Sequence, residues 1–230
     1  MIKNYNDFIT AMFDAGFSGA VGGKDDGVFG LFRYGWGAEE ETGIEWHTDD
    51  SETDPWQWRM RVLNERNDIA YAKIFFKKAG YITKEWYPYF LAARRNGRTF
   101  EDEYLNGTIG NYAKRMYDVV AENGKLPLHD IKRLTGFKHE DNYEFDGALT
   151  DLQMKLFLTM CGRQQKISHK GQEYGWASTM FCTAQDFWPP EVIDNAAKIN
   201  ATEAEEAITE RVKKLNPLAI EKKIIKFIKG

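Results

Sequence analysis

No stretch of this 230-residue chain approaches the roughly 18 consecutive apolar residues that a membrane-spanning helix needs. Its first residues, Met-Ile-Lys-Asn-Tyr-Asn-Asp-Phe, lack the basic start and apolar run of a secretory signal. The expectation is a cytoplasmic protein with no membrane partner. Cysteine is scarce. Cys161 and Cys182 lie in Met-Cys-Gly and Phe-Cys-Thr, with no CxxC or Cys/His cluster around them, and read as reduced, buried thiols. Common catalytic signatures are missing too. Gly19, Gly22, Gly23 and Gly27 mark a loop without the GxxxxGK[ST] order of a phosphate loop. No HExxH or GxSxG occurs. His47 lies near Asp49, Asp50 and Asp54, but one histidine in an acidic loop reads as solvated rather than metal-binding, and His129, His139 and His169 are isolated. No metal and no cofactor is expected.

Lysine and arginine are absent from residues 39–54, where Glu39, Glu40, Glu41, Glu45, Asp49, Asp50, Glu52 and Asp54 make an acidic, exposed loop. From Arg211 to Gly230 the balance reverses. Seven basic residues face one acid there, so this stretch carries +6 and the rest of the chain −10. The formal total of −4 therefore conceals a chain that is acidic early and basic late.

Aromatic residues are abundant, with seven tryptophans, and that load demands a large core or a concave site. Trp56, Trp58, Trp86, Tyr87 and Tyr89 fall in two clusters, with Arg59, Arg61, Arg94, Arg95 and Arg98 interleaved. Rings beside guanidinium groups suit an extruded base or single-stranded nucleic acid. The plainer reading, which the pattern favours, is an aromatic core flanked by arginines whose stems pack on it. Candidates for a base or ligand pocket are Trp56, Trp58, Arg59, Trp86, Tyr89 and Arg94.

Hydrophobic spacing predicts the elements. Phe8, Ile9, Met12 and Phe13 give a helix that Gly16 ends. Val28 to Tyr34 and Ile69 to Phe76 read as strands, the second followed by a turn at Lys77-Lys78-Ala79-Gly80. Thr83 is expected to cap a helix through Trp86 and Phe90, and Thr99 with Asp102 to form a capping box. Ile109, Tyr112, Met116 and Val119 mark a helix closed by Gly124. Leu128, Ile131 and Leu134 mark a second. Leu149, Leu152, Leu156 and Met160 mark a third that Gly162 stops. Arg163 to Ser168 and Trp176 to Thr183 then pair around a turn-rich tip. Three helices followed by one hairpin, from about Thr108 to Phe187, predict a winged helix-turn-helix module. Thr202 with Glu205, and Asn216 with Pro217, read as two later helix starts. The expected fold class is α+β: an aromatic-rich N-terminal region over 1–105, the winged helix over 106–187, and a basic helical tail over 188–230.

Contact with DNA would fall on the third helix, the wing and the tail. Candidate residues are Lys155, Arg163, Gln164, Gln165, Lys166, His169, Lys170, Lys222 and Lys226. Met154, Phe157 and Leu158 make the predicted third helix apolar on most sides, so it is expected to pack against the N-terminal region rather than enter a groove alone.

Several runs recur in a fixed order: Asp54-Pro55-Trp56-Gln57-Trp58-Arg59, Ala70-Tyr71-Ala72-Lys73, Tyr81-Ile82-Thr83, Trp86-Tyr87-Pro88-Tyr89-Phe90, Phe145-Asp146-Gly147-Ala148-Leu149 and Cys161-Gly162-Arg163. With that order the chain resembles AlkZ-related proteins, relatives of the alkylpurine DNA glycosylases built from tandem winged helices. The resemblance covers roughly Asn6 to Phe187 and continues more loosely beyond. It implies a cofactor-free protein associated with DNA repair and a duplex DNA partner. The glycosylases of that group carry two glutamines around one aliphatic residue near the N-terminus. This chain has Gln57, Gln153, Gln164, Gln165, Gln172 and Gln185, and no Gln-x-Gln. No catalytic residue carries over, and neither Asp14 nor Glu85 is singled out as a substitute. Three readings remain: a DNA-binding glycosylase relative, a small-ligand sensor or protein-interaction module with the winged helix as scaffold, and a glycosylase with different catalytic residues.

Overall fold

The chain folds around two adjoining hydrophobic cores that share one antiparallel sheet. The computed structural model describes residues 2–19, 28–31, 43–168 and 170–230. Glu39, Glu40, Glu41, His169 and most of the predicted glycine loop lie outside them. So does half of the strand expected over Val28 to Tyr34, and its described part, residues 28–31, forms no strand. It runs beside β1 instead, where Gly19 donates to the Phe29 carbonyl and Leu31 to the Ser18 hydroxyl.

Helix α1 (Tyr5–Ala15) starts where the Asn4 side chain accepts from the Asp7 amide and ends at Gly16, whose φ is 89°. Glycine is required there twice over. A Cβ would also lie 2.2 Å from the Trp86 ring. Helix α2 (Pro55–Glu65) starts on Asp54, whose fully buried carboxylate accepts from the Thr48, Asp49 and Trp56 amides. The end of the acidic run is thus a buried turn anchor. Asp49, Asp50 and Glu52 around it are exposed, as expected.

Among the described residues the sheet runs β1-β3-β2-β5-β6-β4, with every pairing antiparallel. The strands are β1 (Phe17–Ser18), β2 (Ile69–Phe75), β3 (Lys78–Thr83), β4 (Leu126–Pro127), β5 (Leu158–Ile167) and β6 (Glu173–Thr183). β2 and β3 meet through Phe76 and Lys77, with φ of 52° and 62°, a tight two-residue hairpin turn. The turn was expected at Lys77 to Gly80. Gly80 instead lies within β3, where a Cβ would meet Phe75 at 2.6 Å and the Ser18 carbonyl at 2.9 Å. The two halves of the sheet join through the single rung Tyr71–Met160.

Helix α3 (Tyr87–Arg95) crosses under the first core. Thr83 does not cap it, because its hydroxyl is spent on the Gly16 carbonyl. The capping box of Thr99 and Asp102 opens α4 (Phe100–Leu105) as expected. Then follow α5 (Asn111–Asn123), β4, α6 (Leu128–Leu134), a short 3-10 turn (His139–Asp141) and α7 (Asn142–Met154). Met116, Val120, Ile131, Phe145, Leu149 and Leu152 build the second core beneath β5 and β6. The predicted third helix ran on to Met160, but α7 ends at Met154. Leu156 reverses the chain with φ of 60°, and Leu158 enters β5. Leu156, in the reversal, belongs to the first core and Met160, on β5, packs against both cores, so buried residues outside the helix prolonged the apolar spacing. Gly162 marks a bulge opposite Met180 rather than a helix stop.

Beyond α8 (Ala184–Phe187) and α9 (Pro190–Lys198), helices α10 (Ala201–Leu215) and α11 (Glu221–Lys229) fold back on the first core. Asn200, not Thr202, caps α10. Asn216 closes that helix and bonds the Val28 carbonyl, so α11 starts four residues after Pro217. Leu218 is 88% exposed, whereas Ile224, Phe227 and Ile228 are buried. Phe227 stacks on Phe75 with centroids 3.8 Å apart.

Arg94 and Arg95 hold these pieces together. The Arg94 guanidinium donates to the carbonyls of Ile74, Met154, Phe227 and Ile228, and Arg95 to those of Lys155 and Leu156. Replacing Arg94 with methionine should therefore lower stability by at least about 3 kcal/mol, since several buried carbonyls lose their donor at once. The fall in Tm would be on the order of 10 °C, and Arg94→Lys should rescue it only in part. Thermal unfolding followed by circular dichroism checks both variants.

Candidate functional site: a basic cleft and an exposed hairpin

A cavity of about 710 Å³ opens between the outer face of α7, the β2–β3 turn, the end of α3 and the end of α11. Helical spacing puts Tyr143, Gly147, Thr150, Asp151 and Met154 on one wall, with Glu144 and Asp146 beside them. Lys73 and Lys77 rise from β2 and its turn, Arg94 and Arg95 contribute their guanidinium groups, and Lys229 comes from α11. Seven basic and four acidic side chains line the space. Buried Gln153 fixes α7 to β2, accepting from the Lys73 amide at 3.0 Å and donating to the Leu149 carbonyl at 2.9 Å.

Electrostatics inside the cleft are uneven. Burial alone would raise the Glu103 carboxyl, but bonds from Thr108, Arg98 and Lys155 outweigh it and bring the pKa to about 2. Burial raises Asp151 above the ordinary aspartate value, against the opposing pull of Lys155 and Lys77. Burial also lowers Arg94 to about 9 and Arg95 to about 10. Both remain cationic at neutral pH, with carbonyl oxygens gathered around them.

The second feature is the β5–β6 hairpin. Opposite Gln165, strand β6 carries an extra loop of backbone between the rungs Gln164–Ser178 and Lys166–Tyr174, with Gly175 at φ of 62°. Gln165 stabilises it by donating to the Gly175 carbonyl at 2.9 Å. The bulge pushes Trp176 out to 87% exposure, beside exposed Tyr174 and Ile167. Arg163, Gln164 and Lys170 are exposed, and Gln165 and Lys166 half-buried.

The sequence-predicted DNA contacts thus divide among three places. Lys155 is in the cleft, paired with Glu103 at 3.0 Å. Arg163, Gln164, Gln165, Lys166 and Lys170 are on the hairpin, and Lys222 and Lys226 are exposed on α11. The aromatic candidates also separate. Trp58 is fully buried and stacked on Phe8, so it offers no face to a ligand. Trp56 is 41% exposed, with the Arg59 guanidinium over its ring. Trp86 packs on Phe17 and Tyr89. Tyr89 and Glu85 line a second cavity near Lys84 and Lys198. Asp14 is exposed on α1. Tyr143, Lys73, Lys77 and Trp176 were not singled out from sequence. A tryptophan beside a glycine in a hairpin arm was the available signal for the last. The cleft residues come from distant segments and gave none.

Cys161 is the bulged residue of β5, diagonal to Cys182 on β6, and both thiols are free. A hydrogen bond from the Cys182 thiol lowers the Cys161 pKa, and the same bond with burial raises that of Cys182. Among the described residues no group of three or more His, Cys, Asp or Glu is placed to hold a metal ion, and no helix is long and apolar enough to cross a membrane.

Compared with known families, residues 2–229 match the AlkZ-related family. No curated protein and no solved structure matches the chain.

Two outcomes test this geometry. The folded pKa of Glu103 is depressed, so its contribution should be complete above pH about 4.5 and lost as the pH falls toward about 2. Glu103→Gln should remove that acid-range dependence from unfolding curves. Iodoacetamide at neutral pH should label Cys161 before Cys182 in peptide mass spectra, because Cys161 is both more exposed and more thiolate-like.

Proposed function

Because the chain belongs to the AlkZ-related family, we propose that it is a DNA-binding, winged-helix relative of the alkylpurine DNA glycosylases that acts in DNA repair in the cytoplasm. Residues 106–187 form the winged helix in this reading, between the N-terminal α+β region of 1–105 and the helical tail of 188–230. The support is the order α5, β4, α6, α7, β5, β6 around its own core, with β4 paired to β6. Helix α7 takes the place of a recognition helix and the β5–β6 hairpin that of the wing.

The observation that carries DNA contact is the hairpin. It presents Arg163, Lys166 and Lys170 for phosphates, and the bulge displays Trp176 and Tyr174 as flat apolar faces. Gln164, Gln165 and His169 are the polar partners in the same segment, and Lys222 and Lys226 on α11 and Lys155 in the cleft complete the basic set. The net negative charge of the whole chain makes the contact local, confined to these patches.

A second reading has its own observation. A cavity of about 710 Å³ suits a small anionic ligand, and the protein would then be a sensor with the winged helix as scaffold.

Fluorescence anisotropy with a labelled duplex at several salt concentrations distinguishes them. Affinity should fall steeply with salt, and the triple substitution Arg163→Ala, Lys166→Ala, Lys170→Ala should weaken binding and reduce the log–log slope by about 0.9 for each lost phosphate contact. Absence of duplex binding at low salt would overturn the DNA reading. Thermal stabilisation by a small anion without duplex binding would favour the second.

A further inference from the structure

Where α1 and α2 cover β2 and β3, the core holds polar donors that the fold leaves without acceptors. Tyr71 on β2 and Tyr81 on β3 stand opposite one another in one rung, so both rings project from the same face, with centroids 4.8 Å apart. Phe8 of α1 meets the Tyr81 ring edge-on at 5.5 Å and stacks on Trp58 of α2 at 5.3 Å. Arg59, the next residue of α2, brings its guanidinium beside the Tyr71 hydroxyl. Tyr81 is fully buried, and among the described residues its Oη has no hydrogen-bond partner. The buried Nε of Arg59 has none either. Among the described residues no carboxylate pairs with this guanidinium, which lies over the Trp56 ring, 3.0 Å from its centroid.

Two buried donors with no acceptor destabilise an interior, and native proteins satisfy such groups with an ordered molecule. Charge decides which molecule fits. Burial holds the Tyr81 phenol well above the ordinary tyrosine value, and it raises Tyr71 against the opposing pull of Arg59. Both are therefore neutral O–H donors at neutral pH, and among Tyr71, Tyr81 and Arg59 the guanidinium carries the single formal charge. A water molecule would accept the hydrogen bonds and leave that charge uncompensated. An anion does both, and the low local dielectric strengthens its attraction. A spherical ion accepts from any direction, so it suits donors supplied by three separate elements, whereas a carboxylate or phosphate needs an aligned fork. Trp56 is 41% exposed and Arg59 half-buried, so the guanidinium connects the buried hydroxyl with solvent and gives an ion its path.

We propose that Tyr81 Oη, Tyr71 Oη and Arg59 Nε form a buried binding site for a small inorganic anion of the halide class, chloride being the abundant one. The bound ion ties α2 to β2 and β3. The site is separate from the cleft beside α7 and from the hairpin, and it depends on neither reading of function given above. Its consequence is a stability that follows the identity of the anion at fixed ionic strength, which general screening does not produce.

The test follows thermal unfolding of the full chain at constant sodium and constant ionic strength while chloride replaces gluconate. Wild-type Tm should rise and saturate, by roughly 3–5 °C once chloride is about tenfold above its dissociation constant. Arg59→Gln and Tyr81→Phe should each abolish the rise. Arg163→Gln, which removes an exposed cation on the hairpin, should leave it intact. In gluconate alone, Tyr81→Phe should unfold no earlier than wild type, since it removes a hydroxyl that has no partner. Diffraction from wild-type crystals grown in bromide supplies a readout that needs no variant, with an anomalous peak expected between Tyr81 Oη and Arg59 Nε. An ordered water there without anomalous signal overturns the proposal. So does a chloride-dependent rise that survives both substitutions, or a wild-type Tm that is the same in chloride and gluconate.

Discussion

Two neighbouring arginines in the last turn of α3 are cations surrounded by carbonyl oxygens. Moving a cation out of water costs several kcal/mol, and among the described residues no carboxylate is bonded to them to offset it. What offsets it is the negative end of helices. Arg94 takes carbonyls from the ends of α7 and α11 together with one from β2, and Arg95 takes the two that follow α7. Apart from the Ile74 carbonyl on β2, these carbonyls lie at a helix terminus or a reversal, where helical backbone leaves them without a partner. The arrangement therefore solves two problems with one pair of side chains, and it forces α7, α11 and β2 to converge on the end of α3.

That convergence makes the cleft. Because α7 must end against Arg94 and Arg95, the outer face of its preceding turns is held across from the β2–β3 turn, and Asp151 and Lys77 face one space. Glu103 locks the rim by binding Arg98 and Lys155. Lys229 pairs with Glu205, whereas Lys73, Lys77 and Asp151 form no ion pair among the described residues, and the partial burial of Asp151 strengthens any charge interaction it makes. The hairpin lies on the opposite logic. It extends past the second core, its bulge is stabilised by backbone and Gln165 alone, and its aromatic residues stay in water.

Charge distribution gives a further constraint. The stretch from Arg211 onward is basic by +6, yet its apolar residues complete the first core, so α11 is a structural helix with a basic outer side. Its lysines and those of the hairpin are carried by different elements, and the acidic residues 43–54 are organised around buried Asp54.

Local signals were enough for many elements. Gly16, Gly124 and the Thr99–Asp102 pair marked helix ends because backbone conformation and capping act within a few residues. The order of three helices and a hairpin was legible for the same reason, and the resemblance carried by short runs between Asp54 and Arg163 pointed to the family that matches residues 2–229. Where the sequence misled, a longer-range contact had decided. Leu156 and Met160 continued a helical stripe, but the buried arginines take the carbonyls at that point and turn the chain. Gly80 looked like a turn residue and is a strand residue pressed against Phe75. Trp58 looked like a stacking surface and is core, because Phe8 arrives from α1 to cover it. The cleft was invisible for the same physical cause: Lys73, Asp151 and Lys229 are far apart in the chain, and only packing around Arg94 brings them to one place.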